Sequence, residues 1–370
     1  MTTLTAATDA RVERLRRVLD ERELDGMLIS RIANKRYFSG LRLMDDEEAT
    51  WPGTLLVTRD ERLVMADSRY TEQAEGEAPG WEVIMTTGGI GDDLPAVLER
   101  HGVAVLGLEA EVVTHADWSA LAAAAPGVEL HAMDDEIALL RLVKDNDEIE
   151  AVRRACELTD ACFAHLVAFA RAGMTEREVA WELESFFRRN GADGLAFPPI
   201  VLAGPRAAMP HGQPSEVAIE PGDVLLIDFG CKVDGYRSDM TRTVFVGDVP
   251  DHVRRAHDAV RSAQTAALEA IAVGVNGQDV DAVARRVIDD AGFEPYGHGL
   301  GHGIGLEVHE PPSLRRTRPY TLEAGMVFSV EPGIYQPGVT GVRIEDIVVL
   351  AQSGPRLLTN APRDPLVIGG

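Results

Sequence analysis

The sequence predicts an α+β protein of two domains: a smaller α/β domain over residues 1–143, then a larger one over 144–370 that is duplicated internally. Three observations carry this. The chain has 370 residues, more than one compact core ordinarily uses. Its first part alternates helical and strand periodicities. After it, two helical segments followed by strands occur twice, about 100 residues apart.

In the first domain, "DARVERLRRVLDERELDG" has helical spacing and stops at Gly26. "GMLIS" reads as a short buried strand. "GTLLVT" and "RLVMAD" flank a polar turn at Arg59–Glu61 and predict a hairpin. "DLPAVLERHG" is helical, "VAVLGLE" a buried strand, and "HADWSALAAAAPG" a helix again.

In the second domain, Asp145 is placed to cap a long helix that reaches about Gly173. Thr175 and Glu178 form a capping-box signature for a helix that stops before Gly191. Strands follow from Phe197 to about Val246. The second round begins with Pro250 at the first helical position, reaches about Gly274, and continues with a helix over roughly Val280–Ala291. Strands close the chain from about Leu300 to Leu350. Sites often form where two such halves meet.

Bulk composition narrows the function. The 60 acidic residues against 36 basic ones give a net charge of −24, which repels nucleic acid and anionic membranes. The three cysteines, Cys156, Cys162 and Cys231, are too few for a disulfide framework and read as small buried apolar residues of a reduced compartment. "MTTLTAATDARVERLRR" has no apolar signal core, and no run is long enough to span a bilayer. The expectation is a cytoplasmic protein.

Chemistry concentrates in three places. In "DVLLIDFGCKVDGYRSDMTRTVFVG", Asp234-Gly235 between two strand-like runs signals a two-residue hairpin. Centred there, Val233 pairs with Tyr236, Asp228 with Thr241 and Gly230 with Asp239. Asp228 and Asp239 then share a face as diagonal neighbours, with Cβ atoms roughly 7–8 Å apart. That spacing suits a grip on one or two ions. Pairing of Asp228 with Arg237 or Arg242 is the plainer alternative. In "GMVFSVEPGIYQPGVTGVRIEDIVVL", two apolar runs flank a Pro/Gly-rich connection. Glu331 ends the first, while Arg343 and Glu345 share a face of the second, where they could simply be ion-paired. In "YGHGLGHGIGLEVHE", His302 and His309 are seven apart among glycines that allow close backbone approach. The spacing fits neither GxGxxG nor HExxH. One imidazole and four carboxylates suit Mn²⁺, Co²⁺ or Zn²⁺, and two such ions can share bridging carboxylates and activate a water.

These stretches, with "MPHGQPS", resemble the pita-bread metallopeptidases: methionine aminopeptidase, Xaa-Pro aminopeptidase, prolidase and their metal-free relative creatinase. The N-terminal "LDGMLISRIANKRYFSGLR" resembles the creatinase/prolidase type more distantly. The resemblance implies a pita-bread fold for 144–370 behind a creatinase-like α/β domain. It implies five ligands to two divalent ions, with manganese foremost: Asp228, Asp239, His302, Glu331 and Glu345. Asp239 and Glu345 would bridge. Glu331 would also shuttle the proton. His211 and His309 would face substrate, and Arg343 would orient Glu345 and substrate. His298 matches no functional position and reads as structural. The implied activity is a cytoplasmic exopeptidase, a Xaa-Pro aminopeptidase or dipeptidase, acting as a homodimer on small peptides with proline second. Phe197 and Tyr335 are candidate pocket walls. Ser313 stands where prolidases often carry the arginine that binds a dipeptide's carboxylate. Arg315, Arg316, Arg36 or Arg42 could substitute. An aminopeptidase or amide hydrolase of other specificity, and a metal-free binding module, are the competing readings.

Overall fold

The computed structural model describes residues 3–43, 53–133 and 135–369. The chain divides into two compact units, Met1–Arg141 and Leu142–Gly370.

The first unit is a mixed sheet flanked by helices. Its strands are β1 (Gly26–Ile29), β2 (Thr54–Thr58), β3 (Arg62–Ala66), β4 (Glu82–Met85), β5 (Val105–Glu109) and β6 (Glu129–Met133), in the order β4-β3-β2-β1-β5-β6. The hairpin at Arg59–Glu61 joins β2 and β3 as expected, with Leu56 opposite Leu63. Helices α1 (Thr3–Glu21), α2 (Ile32–Ser39), α3 (Thr71–Glu77), α4 (Ile90–Arg100), α5 (His115–Ala124) and α6 (Asp135–Leu139) intervene. Sequence periodicity misses β4 and β6 because they are the two edge strands. Both are short and only partly buried, and their few apolar residues, such as Val83, Ile84, Leu130 and Met133, do not alternate regularly with polar ones.

The second unit repeats one plan. Helices α7 (Asn146–Phe169) and α8 (Glu176–Arg189) precede β7 (Gly194–Leu195), β8 (Ile200–Ala203), β9 (Val224–Phe229), β10 (Cys231–Val233), β11 (Tyr236–Arg237) and β12 (Met240–Val246). Helices α9 (Asp251–Ala270) and α10 (Gly277–Asp290) precede β13 (Gly301–Gly303), β14 (Glu310–Leu314), β15 (Val327–Val330), β16 (Gly333–Gln336), β17 (Thr340–Arg343), β18 (Asp346–Ala351) and β19 (Gly354–Leu357). The last strand, β20 (Val367–Ile368), returns to β12. Each helix pair packs its apolar face on its own sheet. Phe163, Leu183 and Phe187 meet Ile227 and Phe229 in the first half, and Val260 and Ile288 meet Phe328 and Val348 in the second. Each such side chain contributes roughly 1.5–3 kcal/mol by leaving water.

The caps explain the helix starts. Asp145 Oδ1 accepts from Glu148 N–H (2.9 Å) while Glu148 answers Asp145 N–H (3.0 Å). Thr175 and Glu178 do the same for α8. Pro250 lies just outside α9 rather than at its first position, because its ψ of 149° is extended. Helix α10 begins at Gly277, earlier than apolar spacing suggests, because Asn276 caps it through Gln278 N–H (2.9 Å). Among the described residues, no helix is long and apolar enough to cross a membrane.

Candidate metal centre

The first hairpin folds in the expected register. Val233 faces Tyr236 and Thr241 faces Asp228. Asp234 and Gly235 both have positive φ (49° and 70°), the condition for the tight turn that aligns the strands. Asp228 lies on β9, and Asp239 falls between β11 and β12, opposite Gly230.

The second hairpin is interrupted. Val330 pairs with Asp346 above the break and Gly333 with Arg343 below it, so continuous counting sets Glu331 opposite Glu345. There the ladder opens. Glu331 N–H turns to Leu300 O (2.8 Å) and Glu345 N–H to Thr241 O (3.0 Å). Two carboxylates facing across a closed ladder would repel. The break instead stitches both acids to backbone two residues from His302 and two from Asp239.

The histidine-rich stretch becomes β13, a turn over residues 304–309, and β14. A Cβ on Gly301 would lie 1.9 Å from Ser329 O, and one on Gly303 would lie 2.1 Å from Pro311 O. Those glycines let β13 press between β14 and β15 and drive His302 into the acids. His302 Nδ1 bonds Gly303 O (3.1 Å), which assigns the proton to Nδ1. Nε2 then offers its lone pair, 3.4 Å from Glu331 Oε1 and 3.7 Å from Asp239 Oδ2. Burial pushes the His302 pKa down to about 3, so the ring is neutral.

Asp239, His302 and Glu345 place ligand atoms within 4.8 Å of one another. Asp228 and Asp239 each keep a buried Oδ1 with no hydrogen-bond partner among the described residues. Burial, and then the neighbouring carboxylates, raise the pKa of Asp239 and Glu345 well above the usual range. Burial likewise lifts Glu331 to about 8, against the pull of Arg343. Buried acids with unbonded oxygens, facing a neutral imidazole lone pair, fit a divalent cation. Four carboxylates against one guanidinium carry more charge than a single such ion neutralises.

Arg343 corrects one expectation. It meets Asp228 rather than Glu345, donating from NH2 to Asp228 Oδ2. It reaches Glu345 only through Thr241, which accepts from Arg343 Nε (2.9 Å) and donates to Glu345 Oε2 (2.7 Å). Arg242, the alternative partner for Asp228, is spent on Asp346 (2.6 Å), and Arg237 donates to Leu306 O.

His309 stacks its ring edge-to-face on His302, with centroids 4.4 Å apart, and keeps an exposed edge. His211 is exposed on the loop after β8. It lies near enough to lower the pKa of His309 electrostatically, second to burial.

His298, read as structural, joins the site, and Tyr335, read as a pocket wall, serves as its hydrogen-bond partner. Arg343 NH1 donates to Tyr335 Oη (2.9 Å), so the Tyr335 hydrogen goes to His298 Nε2 (2.9 Å). The His298 proton then sits on Nδ1, bonded to Gly299 O (2.7 Å) and 3.9 Å from Glu331 Oε2. The even spacing of His298, Leu300 and His302 was the available signal, since alternate residues of an extended chain share a side.

Residues 150–352 match the model of metallopeptidase family M24, and residues 11–143 match the creatinase/prolidase N-terminal domain. The chain therefore belongs to metallopeptidase family M24, and it has that family's pita-bread fold behind a creatinase-type domain. It is 34% identical to a Xaa-Pro dipeptidase of Pyrococcus furiosus, over 96% of this chain and 99% of the relative. The structure of a Xaa-Pro dipeptidase from Bacillus anthracis superimposes with a TM-score of 0.93 at 36% identity, covering 98% and 100% of the two chains. That of an X-Pro aminopeptidase from Thermotoga maritima does so with a TM-score of 0.87 at 39% identity, covering 97% and 100%.

Proposed function

We propose that this protein is an exopeptidase that cleaves the bond between an N-terminal residue and proline. Asp228, Asp239, His302, Glu331 and Glu345 would hold two divalent ions, with manganese the foremost candidate for so oxygen-rich a donor set. The observation that carries this is the meeting of a neutral imidazole lone pair with buried acids that retain unbonded oxygens. The names of the dipeptidase and aminopeptidase relatives support the proline specificity.

Divalent ions bound there would supply a water of lowered pKa and polarise the scissile carbonyl. The protein's own groups do the rest. Glu331, as a carboxylate, takes a proton from water and returns it to the leaving nitrogen. Ser329 Oγ (3.3 Å) holds its Oε1. His309, its pKa lowered by partial burial against His302, donates from its ring to the developing oxyanion, and His211 faces it from the loop. Arg343 and Thr241 fix Asp228 and Glu345.

Metal loading should release protons. At pH 7 Glu331, raised to about 8 in the metal-free site, holds a proton that an ion must displace, and burial favours the protonated form of Asp239 and Glu345 as well. Affinity is expected to climb as pH rises toward 8. Titration calorimetry of manganese into the metal-free protein, in buffers of different ionisation heat, would show the release. A heat that does not change with buffer contradicts it. Stability moves the other way. Between the ordinary carboxyl range and about 8, folded Glu331 keeps a proton that the unfolded chain has lost, so the metal-free protein weakens as pH rises.

Substrate length is tested separately. Ser313 faces His302 across β13 and β14, with no guanidinium at that position to meet a dipeptide's carboxylate. We expect Ala-Pro-Ala to be cleaved at least as well as Ala-Pro. Cleavage of neither, with residues released from peptides lacking proline, would refute the proline specificity.

A further inference from the structure

The loop carrying His211, "AGPRAAMPHGQPS" (203–215), has glycine, proline and alanine at most positions and little side-chain packing of its own. It is held from outside. Glu176, in the first turn of α8, is fully buried. Its carboxylate takes both ends of the loop at once. Oε1 accepts from Ala203 N–H (2.9 Å) and Arg206 Nε (2.9 Å). Oε2 accepts from Ser215 N–H (2.9 Å), Ser215 Oγ–H (2.7 Å) and Arg206 Nε (3.1 Å). Arg206 then closes the loop on itself by donating from NH2 to Gln213 O (2.9 Å). The first backbone N–H groups of α8 bind the far end: Glu176 N to Val217 O (3.1 Å) and Arg177 N to Ser215 O (3.1 Å).

The clamped loop rests on β17. A Cβ on Gly341 would lie 1.8 Å from Ala207 O, so only glycine allows the turn over 204–208 to lie there. The next residues of β17 lead to Arg343. A buried carboxylate with donors on both oxygens is costly to disturb, since the buried Ala203 N–H and the part-buried Ser215 and Arg206 donors would lose their acceptor together.

We infer that Glu176 is a positioning residue: its carboxylate, with Gly341 as the seat, holds the 203–215 loop so that His211 stays over the metal centre. This rests on the role given to His211 above. It adds that substrate-facing geometry is set from α8, through a group that touches neither metal nor substrate.

Two readouts on the full-length, manganese-loaded protein test it. Limited trypsin digestion reports loop order directly, by cleavage after Arg206. Glu176→Gln keeps the shape but sets an amide N–H against the donors, so cleavage there should quicken about tenfold or more, with metal content unchanged. Turnover of Ala-Pro or Ala-Pro-Ala should fall roughly tenfold to a hundredfold, mostly in kcat. In a His211→Ala background the same substitution should cost less than about twofold, because the group it positions is gone. A folded Glu176→Gln protein with unchanged cleavage after Arg206 overturns the clamp. An equal activity loss with and without His211 overturns the positioning role. Full activity of His211→Ala alone overturns the role of His211 itself, whatever trypsin shows. Gly341→Ala leaves the carboxylate intact and removes the seat. It should reproduce both results, and it decides the question if Glu176→Gln does not fold. Unchanged cleavage and turnover in Gly341→Ala would sink the inference.

Discussion

Asp239→Ala is expected to bind no metal and to lose roughly three orders of magnitude or more in kcat/KM, as removing a Lewis-acid centre worth several kcal/mol requires. Asp239 sits inside the cluster: its Oδ2 faces His302 Nε2 at 3.7 Å, and after burial the charges of Glu345, Asp228 and Glu331 all raise its pKa. The same substitution should leave the metal-free protein as stable as before, or more so. A carboxyl whose pKa burial has pushed well above normal contributes little to folding, so its removal relieves the cluster. Calorimetry with and without manganese separates the two effects. The variant should keep its metal-free Tm and lose the rise that metal gives the wild type. Normal turnover in protein with no detectable metal would end the metallopeptidase mechanism.

Arg343→Met should act in the opposite sense. Arg343 is buried, pairs with Asp228, and carries Thr241 and Tyr335 on its other nitrogens. Removing one member of a buried pair costs about 3–5 kcal/mol. In a unit of this size that is roughly a 10 °C fall in Tm. The fall should be larger without metal than with it, because bound cations take over the neutralisation of Asp228. Activity should drop even when metal is restored, since Thr241 no longer fixes Glu345. Arg343→Lys should rescue neither, because a single ammonium cannot serve Asp228, Thr241 and Tyr335 together. A metal-free Tm equal to wild type would show that Asp228 needs no cation at that position.

Legibility varied with how local the cause was. The first hairpin could be placed residue by residue, because Asp234-Gly235 dictates the turn and the turn dictates every pairing back to Asp228. The second could not. Its runs read as continuous strands, and the break at Glu331 and Glu345 is imposed by backbone bonds to Leu300, just before β13, and to Thr241 on β12. The helix caps at Asp145 and Thr175 were visible as short motifs. The edge strands β4 and β6 were not, since each is short and partly exposed and its few apolar residues follow no regular alternation.

Arg343 and His298 show the same divide at the site. Two residues from Glu345 on one strand, Arg343 looked like its partner. In space Asp228, more than 100 residues away in the chain, stands closer. His298 was set aside because it matched no motif, yet it meets Tyr335 and faces Glu331.

By itself the sequence determined the family, the turns and caps that local hydrogen bonding enforces, and the candidate residues from which the proposed site is built. The tertiary structure alone decided which acid meets which base, where the second ladder opens, and what holds the His211 loop. Those outcomes depend on contacts between distant segments, and a buried charge takes its partner from whatever neighbour the packed core brings within reach.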